Sequence, residues 1–100
     1  MQVPPAQNCN SAERIVVIRN EEGLHMRPAM QFIDCANGFE SQITIHKGEQ
    51  RANGKSIAEL TMLAAGKGTQ LRICAVGNDA AQAIEALAAI IENEITKNTD

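Results

Sequence analysis

Two hydrophobic periodicities alternate along this chain, and they limit the possible folds more than any other feature. Short runs that are rich in β-branched residues or alternate apolar with polar side chains are typical of strands. Longer stretches with an apolar residue at every third or fourth position are typical of helices. The predicted strands lie at 14–19, 40–46, 50–52 and 71–76, and the predicted helices at 28–37, 57–63 and 79–93. The order β-α-β-β-α-β-α indicates one domain at 13–93, with tails at 1–12 and 94–100.

The tight turn at 47–49 places the two middle strands side by side and antiparallel. Because polar side chains occupy alternate strand positions, one face of the sheet must contact water. The economical packing has two layers, with all three helices on the other face. The sequence thus predicts an α+β open-faced sandwich. The residues expected on the open face are Ile15, Val17, Thr44, His46, Arg72 and Cys74.

Composition excludes several classes of function. With 44% hydrophobic residues among 100, the chain can build a single core. A net charge of −3, no basic run and 2% aromatics argue against nucleic-acid binding. No apolar run reaches the ~20 residues of a membrane span, and the N-terminus does not resemble a signal peptide, so a cytoplasmic protein is expected. Cys9, Cys35 and Cys74 fit no metal-ligand spacing, so we expect reduced thiols, no metal and no cofactor.

The stretch most suited to chemistry is Gly23-Leu24-His25-Met26-Arg27-Pro28. Proline is tolerated in the first turn of a helix, so His25 is expected at or next to the N-cap. The first backbone N–H groups of a helix have no partner inside it and form the positive end of its dipole. A neutral imidazole beside them is a nucleophile near pH 7. A phosphoryl group on His25 could therefore be held by these amides and by Arg27.

This stretch, together with Ala29, resembles the active-site signature of HPr, the histidine-containing phosphocarrier family of the bacterial phosphotransferase system. A second set of residues resembles the family's other motif, with matching spacing from His25: Gly54-Lys55-Ser56-Ile57, Leu60, Leu63 and Lys67-Gly68-Thr69. The similarity extends from about Ile15 to Glu92. It implies an HPr-like fold, a four-stranded antiparallel sheet of order 1-4-2-3 under three helices.

The resemblance also implies a function. A phosphocarrier of this family accepts a phosphoryl group on Nδ1 of the histidine, here His25, from phosphorylated enzyme I, which obtains it from phosphoenolpyruvate. It donates the group to EIIA domains during sugar uptake, and Arg27 would stabilise it. Such a chain is a carrier rather than a stand-alone enzyme, since most catalytic groups belong to its partners. A monomer is expected.

Ser56 is a second candidate site. As a helix N-cap it is followed three residues later by Glu59, the spacing of a capping box. The resemblance implies a further role, because in some family members the matching serine is phosphorylated by HPr kinase/phosphorylase. The modified protein would then act in carbon regulation, with a transcriptional regulator as a possible partner. Phosphate adds about −1.5 to −2 charges, which a helix N-terminus can accommodate.

The resemblance places a partner-binding face on the first two helices. The residues expected there are Met26, Met30, Gln31, Lys55, Ile57, Ala58, Thr61 and Met62. Many family members carry basic residues on this face, whereas this chain has Asp34, Asn37 and Glu59 in the surround. This difference from the family favours partners whose binding surfaces differ in charge from those of the usual family partners.

Two alternatives remain open. The chain could be a regulatory paralogue, from a nitrogen-related or carbon-catabolite branch, that acts mainly by protein binding. It could also be a small acid–base or phosphatase domain using His25. No second base, carboxylate pair or metal set accompanies the histidine, so the enzyme class is the less favoured of the two.

Overall fold

The chain folds into four strands and three helices in the predicted order β-α-β-β-α-β-α. The computed structural model describes residues 11–19, 21–24 and 26–98, with the backbone alone for Met26 and 93–98. The elements are β1 (Ser11–Val17), α1 (Met26–Ala36), β2 (Gln42–Lys47), β3 (Gln50–Asn53), α2 (Ile57–Met62), β4 (Gln70–Val76) and α3 (Ala80–Asn98).

The strands form one antiparallel sheet of order β1-β4-β2-β3, as the family resemblance implied. Ile45 at the centre of β2 lies opposite Ile73 of β4 and Ala52 of β3. The hairpin between β2 and β3 closes through two residues, and Gly48 adopts a left-handed φ of +59° there. The tight turn that the sequence predicted therefore sets the register of the middle strands.

One hydrophobic core fills the space between the sheet and the helices. Alternate strand residues such as Val16, Ile45 and Ile73 are at most 1% exposed, and they join the inward stripes of the helices in a single cluster. The inward helical residues are Phe32 and Ala36 of α1, Leu60 of α2, and Ile84, Leu87, Ala88 and Ile91 of α3. Because all three helices pack on this side, the other face of the sheet is left open, as predicted.

The open face carries a small polar network. The Arg72 guanidinium donates a hydrogen bond of 3.0 Å to the Glu13 carboxylate, which also lies 3.5 Å from Sγ of Cys74. The hydrogen bond from Arg72 lowers the pKa of Glu13, and partial burial raises the pKa of the Cys74 thiol. The raised pKa favours the neutral form of the Cys74 thiol.

Several element ends differ from those expected, most of all the start of β1 and the end of α3. β1 begins at Ser11 instead of residue 14, because it pairs with β4 along its whole length, from Ser11 opposite Val76 to Val17 opposite Gln70. α3 continues to Asn98, into the stretch expected to be a tail, since neither glycine nor proline interrupts it. None of the helices within the described ranges is long and apolar enough to cross a membrane.

Asp79 ties the start of α3 to the loop between α1 and β2. Its carboxylate accepts hydrogen bonds from the backbone N–H groups of Glu40 (2.9 Å) and Ser41 (3.0 Å) and from the Ser41 hydroxyl. Ser41 is completely buried, so this carboxylate satisfies a hydroxyl that water cannot reach. The bond from the Ser41 hydroxyl, followed by that from Glu40, lowers the pKa of Asp79.

The lowered pKa of Asp79 predicts how stability depends on pH. The ionised form stabilises the fold above the unfolded-state pKa of about 3.9, and this contribution is lost as the pH falls through the lower folded-state pKa. Asp79→Asn should therefore be less stable than the wild type at neutral pH, and the difference should shrink in acid. Urea unfolding between neutral pH and the acid limb measures this. A constant difference across the range would contradict it.

Candidate functional site

The loop between β1 and α1, which leads to the predicted acceptor histidine, is anchored against the segment that follows α2. The backbone N–H of Leu24 donates a hydrogen bond of 2.8 Å to the carbonyl of Ala65. Gly23 has a φ of +75°, and a Cβ on it would lie 2.5 Å from that carbonyl oxygen and 2.8 Å from Cα of Gly66. Only glycine permits this approach, so Gly23 fixes the path of the chain just before position 25.

His25 itself lies outside the described residues, as does the side chain of Met26. The described residues around it are Leu24, which is bonded to Ala65, and Met26, the first residue of α1. The role of His25 stays a prediction.

The first turn of α1 has the character of an anion site. It contains no acidic residue, and Pro28 is buried there while Arg27 is exposed. The first N–H groups of a helix have no partner inside the helix, so this end favours a negative charge. In the preceding turn, Glu21 pairs with Lys67 at 2.8 Å, which lowers the pKa of Glu21 and offsets its charge.

Ser56, the second candidate, is the N-cap of α2, and its Oγ accepts a hydrogen bond of 3.3 Å from the N–H of Glu59. Half of the predicted capping box is wrong, because the Glu59 carboxylate accepts from the N–H of Asn53 (2.7 Å) and not from that of Ser56. The cause lies in the intervening turn, where the N–H of Ser56 already donates to the carbonyl of Asn53 at 3.0 Å. The spacing of Ser56 and Glu59 alone therefore does not predict which backbone N–H group the Glu59 carboxylate accepts from.

The two candidate sites lie toward opposite ends of α1. The chain beside the His25 loop is the segment after the C-terminus of α2, whereas Ser56 precedes its N-terminus. Lys55, next to Ser56, donates a hydrogen bond of 2.8 Å to the carbonyl of Phe39, beyond the C-terminus of α1. Ser56 and Lys55 bond to Asn53, Glu59 and Phe39, and within the described ranges none of these bonds reaches residues 21–24.

The predicted partner-binding face is formed by α1 and α2, which pack against each other. Its two described methionines are strongly exposed, Met30 by 51% and Met62 by 76%. Ala58 and Thr61 are also exposed, while Gln31 and Ile57 are half-buried. Exposed methionines suit a surface that adapts to a partner.

The charges around this face match the departure seen in the sequence. Asp34, Asn37 and Glu59 are all exposed, so their side chains can be met by a partner. Lys55 is half-buried, and its bond to Phe39 occupies the ammonium group within the fold. In the described part of the chain, no three His, Cys, Asp or Glu side chains are grouped to hold a metal ion.

Sequence reasoning missed two residues in and beside the segment that bonds Leu24. The ammonium of Lys47 lies 2.7 Å from the carbonyl of Leu63, which follows α2. Ala64 has a left-handed φ of +51°, the only such value at a non-glycine residue within the described ranges. A glycine at position 64 would have indicated the turn, but the sequence has alanine there.

Comparison with known proteins agrees with this geometry. Residues 12–93 match the family model described as the PTS HPr component phosphorylation site. The chain belongs to the HPr family of phosphocarrier proteins. It is 43% identical to the HPr-like protein Crh of Halalkalibacterium halodurans over 82% of this chain and 98% of that protein. It is 46% identical to the phosphocarrier protein HPr of Haemophilus influenzae over 76% of this chain and 89% of that protein.

Comparison with solved structures also finds members of this family. A crystal structure of the phosphocarrier protein HPr from Bacillus anthracis superposes with a TM-score of 0.77 at 38% identity, covering 81% of this chain and 96% of that one. The chain spans 89–98% of the length of these three proteins.

Proposed function

We propose that this chain accepts a phosphoryl group on His25 from phosphorylated enzyme I and donates it to EIIA domains of the sugar phosphotransferase system. The main support is the bond of Leu24 to Ala65, which fixes the chain just before residue 25 at the start of α1. Membership of the HPr family agrees with this role. We further propose that the protein works in the cytoplasm as a monomer.

The transfer needs few groups on this chain. The lone pair on Nδ1 of a neutral His25 attacks phosphorus, so a new N–P bond forms as the bond to the donor breaks. The first-turn amides of α1, and Arg27 in that turn, then stabilise the charge on the phosphoryl oxygens. The reverse sequence on an EIIA domain returns the imidazole to its neutral form, so the chain is regenerated without a cofactor.

Labelled phosphoenolpyruvate tests this proposal directly. Incubation with enzyme I should give the chain acid-labile label, since a phosphohistidine is unstable in acid. His25→Ala should take up no label. His46→Ala is the matched control, because the chain has two histidines and His46 lies on the open face. An unlabelled wild type, or label that survives in His25→Ala, would refute the assignment.

A second proposal is that Ser56 is a regulatory phosphorylation site for an HPr kinase/phosphorylase. The support is the resemblance of Gly54-Lys55-Ser56-Ile57 to the family's second motif and the position of Ser56 as the N-cap of α2. The hydroxyl is half-buried and accepts one bond, from Glu59. A phosphate would replace this cap, and it would lie close to the Glu59 carboxylate, so like charges would repel within the first turn of α2. Kinase with ATP should give acid-stable label that is absent from Ser56→Ala, whereas no label would leave Ser56 as a cap.

The regulatory alternative is a paralogue, from a nitrogen-related or carbon-catabolite branch, that acts mainly by binding, including binding to a transcriptional regulator. It predicts that phosphorylated chain passes little label to sugar-specific EIIA domains. The exposed acidic residues Asp34 and Glu59 fit a partner with basic groups at the facing positions. Label transfer from the phosphorylated chain to a panel of EIIA domains distinguishes a carrier for sugar uptake from a regulatory paralogue.

A further inference from the structure

Lys47, the last residue of β2, reaches across to the chain that follows α2. Its ammonium donates a hydrogen bond of 2.7 Å to the carbonyl of Leu63 and lies 3.5 Å from that of Ala64. Lys47 is half-buried, so this group is partly withdrawn from water. The last carbonyls of a helix have no partner inside it, and a cation there is favourable. Lys47 thus caps the C-terminal end of α2 from a neighbouring strand.

The capped segment has an unusual backbone. Ala64 adopts a φ of +51°, which alanine resists because its Cβ approaches the carbonyl oxygen. Such a conformation persists only where the surroundings hold it. The bonds from Lys47 to the carbonyls on both sides of the Ala64 backbone supply such a restraint.

The same segment then supports the His25 loop. Ala65 directly follows the left-handed residue, and its carbonyl accepts the N–H of Leu24 at 2.8 Å. The direction of that carbonyl depends on the backbone angles of Ala64. A continuous chain of contacts therefore runs from the ammonium of Lys47, through the turn at Ala64, to the residue that precedes His25.

We propose that Lys47 is a positioning residue for phosphoryl transfer at His25. It holds the turn at Ala64, and the turn holds Leu24, the last described residue before His25. This inference rests on the proposed function for its kinetic part. The structural part, that Lys47 restrains Leu24, stands on the described contacts alone.

Amide hydrogen exchange tests the structural part. In Lys47→Met, exchange at the Leu24 N–H should quicken by roughly tenfold more than at core amides such as Ile73, about the effect of losing one charge-assisted hydrogen bond. Lys47→Arg should restore slow exchange, since a guanidinium can donate to the same carbonyls. Arg72→Met is the control, because it removes an exposed cation whose contact is Glu13 on the open face of the sheet. Equal acceleration at Leu24 and Ile73 would overturn the inference, since a merely structural lysine predicts it.

Transfer kinetics test the functional part. With phosphorylated enzyme I as donor, Lys47→Met should lower kcat for phosphoryl acceptance by roughly tenfold with little change in KM, because a displaced loop impairs orientation more than docking. Lys47→Arg should recover the rate, and Arg72→Met should keep it. A wild-type rate in Lys47→Met would overturn the positioning role. A wild type that accepts no label would instead refute the proposed function, and the exchange comparison would then decide alone whether Lys47 holds the loop.

Discussion

Gly23→Ala should lower the free energy of unfolding by about 2–4 kcal/mol, the sum of a left-handed backbone penalty and an overpacked contact. The added Cβ would lie 2.5 Å from the carbonyl oxygen of Ala65, and the φ of +75° would be strained for alanine in any case. To relieve the contact the loop must move away from Ala65, which breaks the bond to Leu24. Phosphoryl acceptance at His25 should then fall by roughly 10- to 100-fold, because a small displacement of a reacting group is costly. Urea unfolding and the labelling rate measure the two effects.

Gly48→Ala is the control that separates the cost of backbone strain from the effect of displacing the His25 loop. Gly48 has a similar φ of +59°, but no atom lies within 4 Å of a Cβ placed there, and it occupies the β2–β3 turn. This variant should lose about 1–2 kcal/mol of stability from the backbone alone and keep its transfer rate. Equal losses of stability and of rate in the two variants would contradict the role given to the Gly23 contact.

Phe32→Ala should destabilise the protein by about 3–5 kcal/mol, the range for truncating a buried aromatic residue. Phe32 of α1 is 1% exposed and is among the largest fully buried side chains of the core. Removing it leaves a cavity between α1 and the rest of the core, which the packed surroundings can fill only in part. Urea unfolding at neutral pH, with the slope held in common, measures the loss.

Phe39→Ala is the matched control, because Phe39 is the other of the two aromatic residues and is only partly buried against the same core. Its backbone carbonyl, which Lys55 contacts, is unchanged by the substitution. The loss should be clearly smaller than that for Phe32→Ala. Comparable losses would mean that the partly buried ring contributes as much as the buried one, against the packing described.

The architecture could be predicted because local patterns agree with it throughout. The alternation of Ile43 and Ile45, the apolar stripe that includes Phe32 and the glycine turn at Gly48 each specify an element or its facing. The sheet order came from the resemblance to the HPr family. The ends of the elements were predicted less accurately than their order. Ser11 has a weak strand propensity, but it belongs to β1 because it pairs with Val76 of β4.

The supports of the candidate site could not be predicted, because each joins residues distant in sequence. The ammonium of Lys47 bonds the carbonyl of Leu63, and the N–H of Leu24 bonds the carbonyl of Ala65. Every residue has a backbone carbonyl, so the sequence does not indicate which of them accepts these bonds. Glu59 has the spacing of a capping box, but its carboxylate accepts from the N–H of Asn53. The N–H of Ser56 is not available to it, because that group donates to the carbonyl of Asn53 within the preceding turn. Spacing predicts which groups can meet, whereas the three-dimensional packing decides which of them do.

The most direct test of the account is amide chemical-shift mapping of the chain before and after phosphorylation by enzyme I and phosphoenolpyruvate. We expect the largest changes at the amides of Met26 and Arg27, because these N–H groups precede the first hydrogen bond within α1 and would donate to the phosphoryl oxygens. The amides of Ile57 to Leu60 should change little, and His25→Ala should show no change at all. Changes centred on α2, or changes that persist in His25→Ala, would contradict the claim that His25 carries the phosphoryl group at the start of α1.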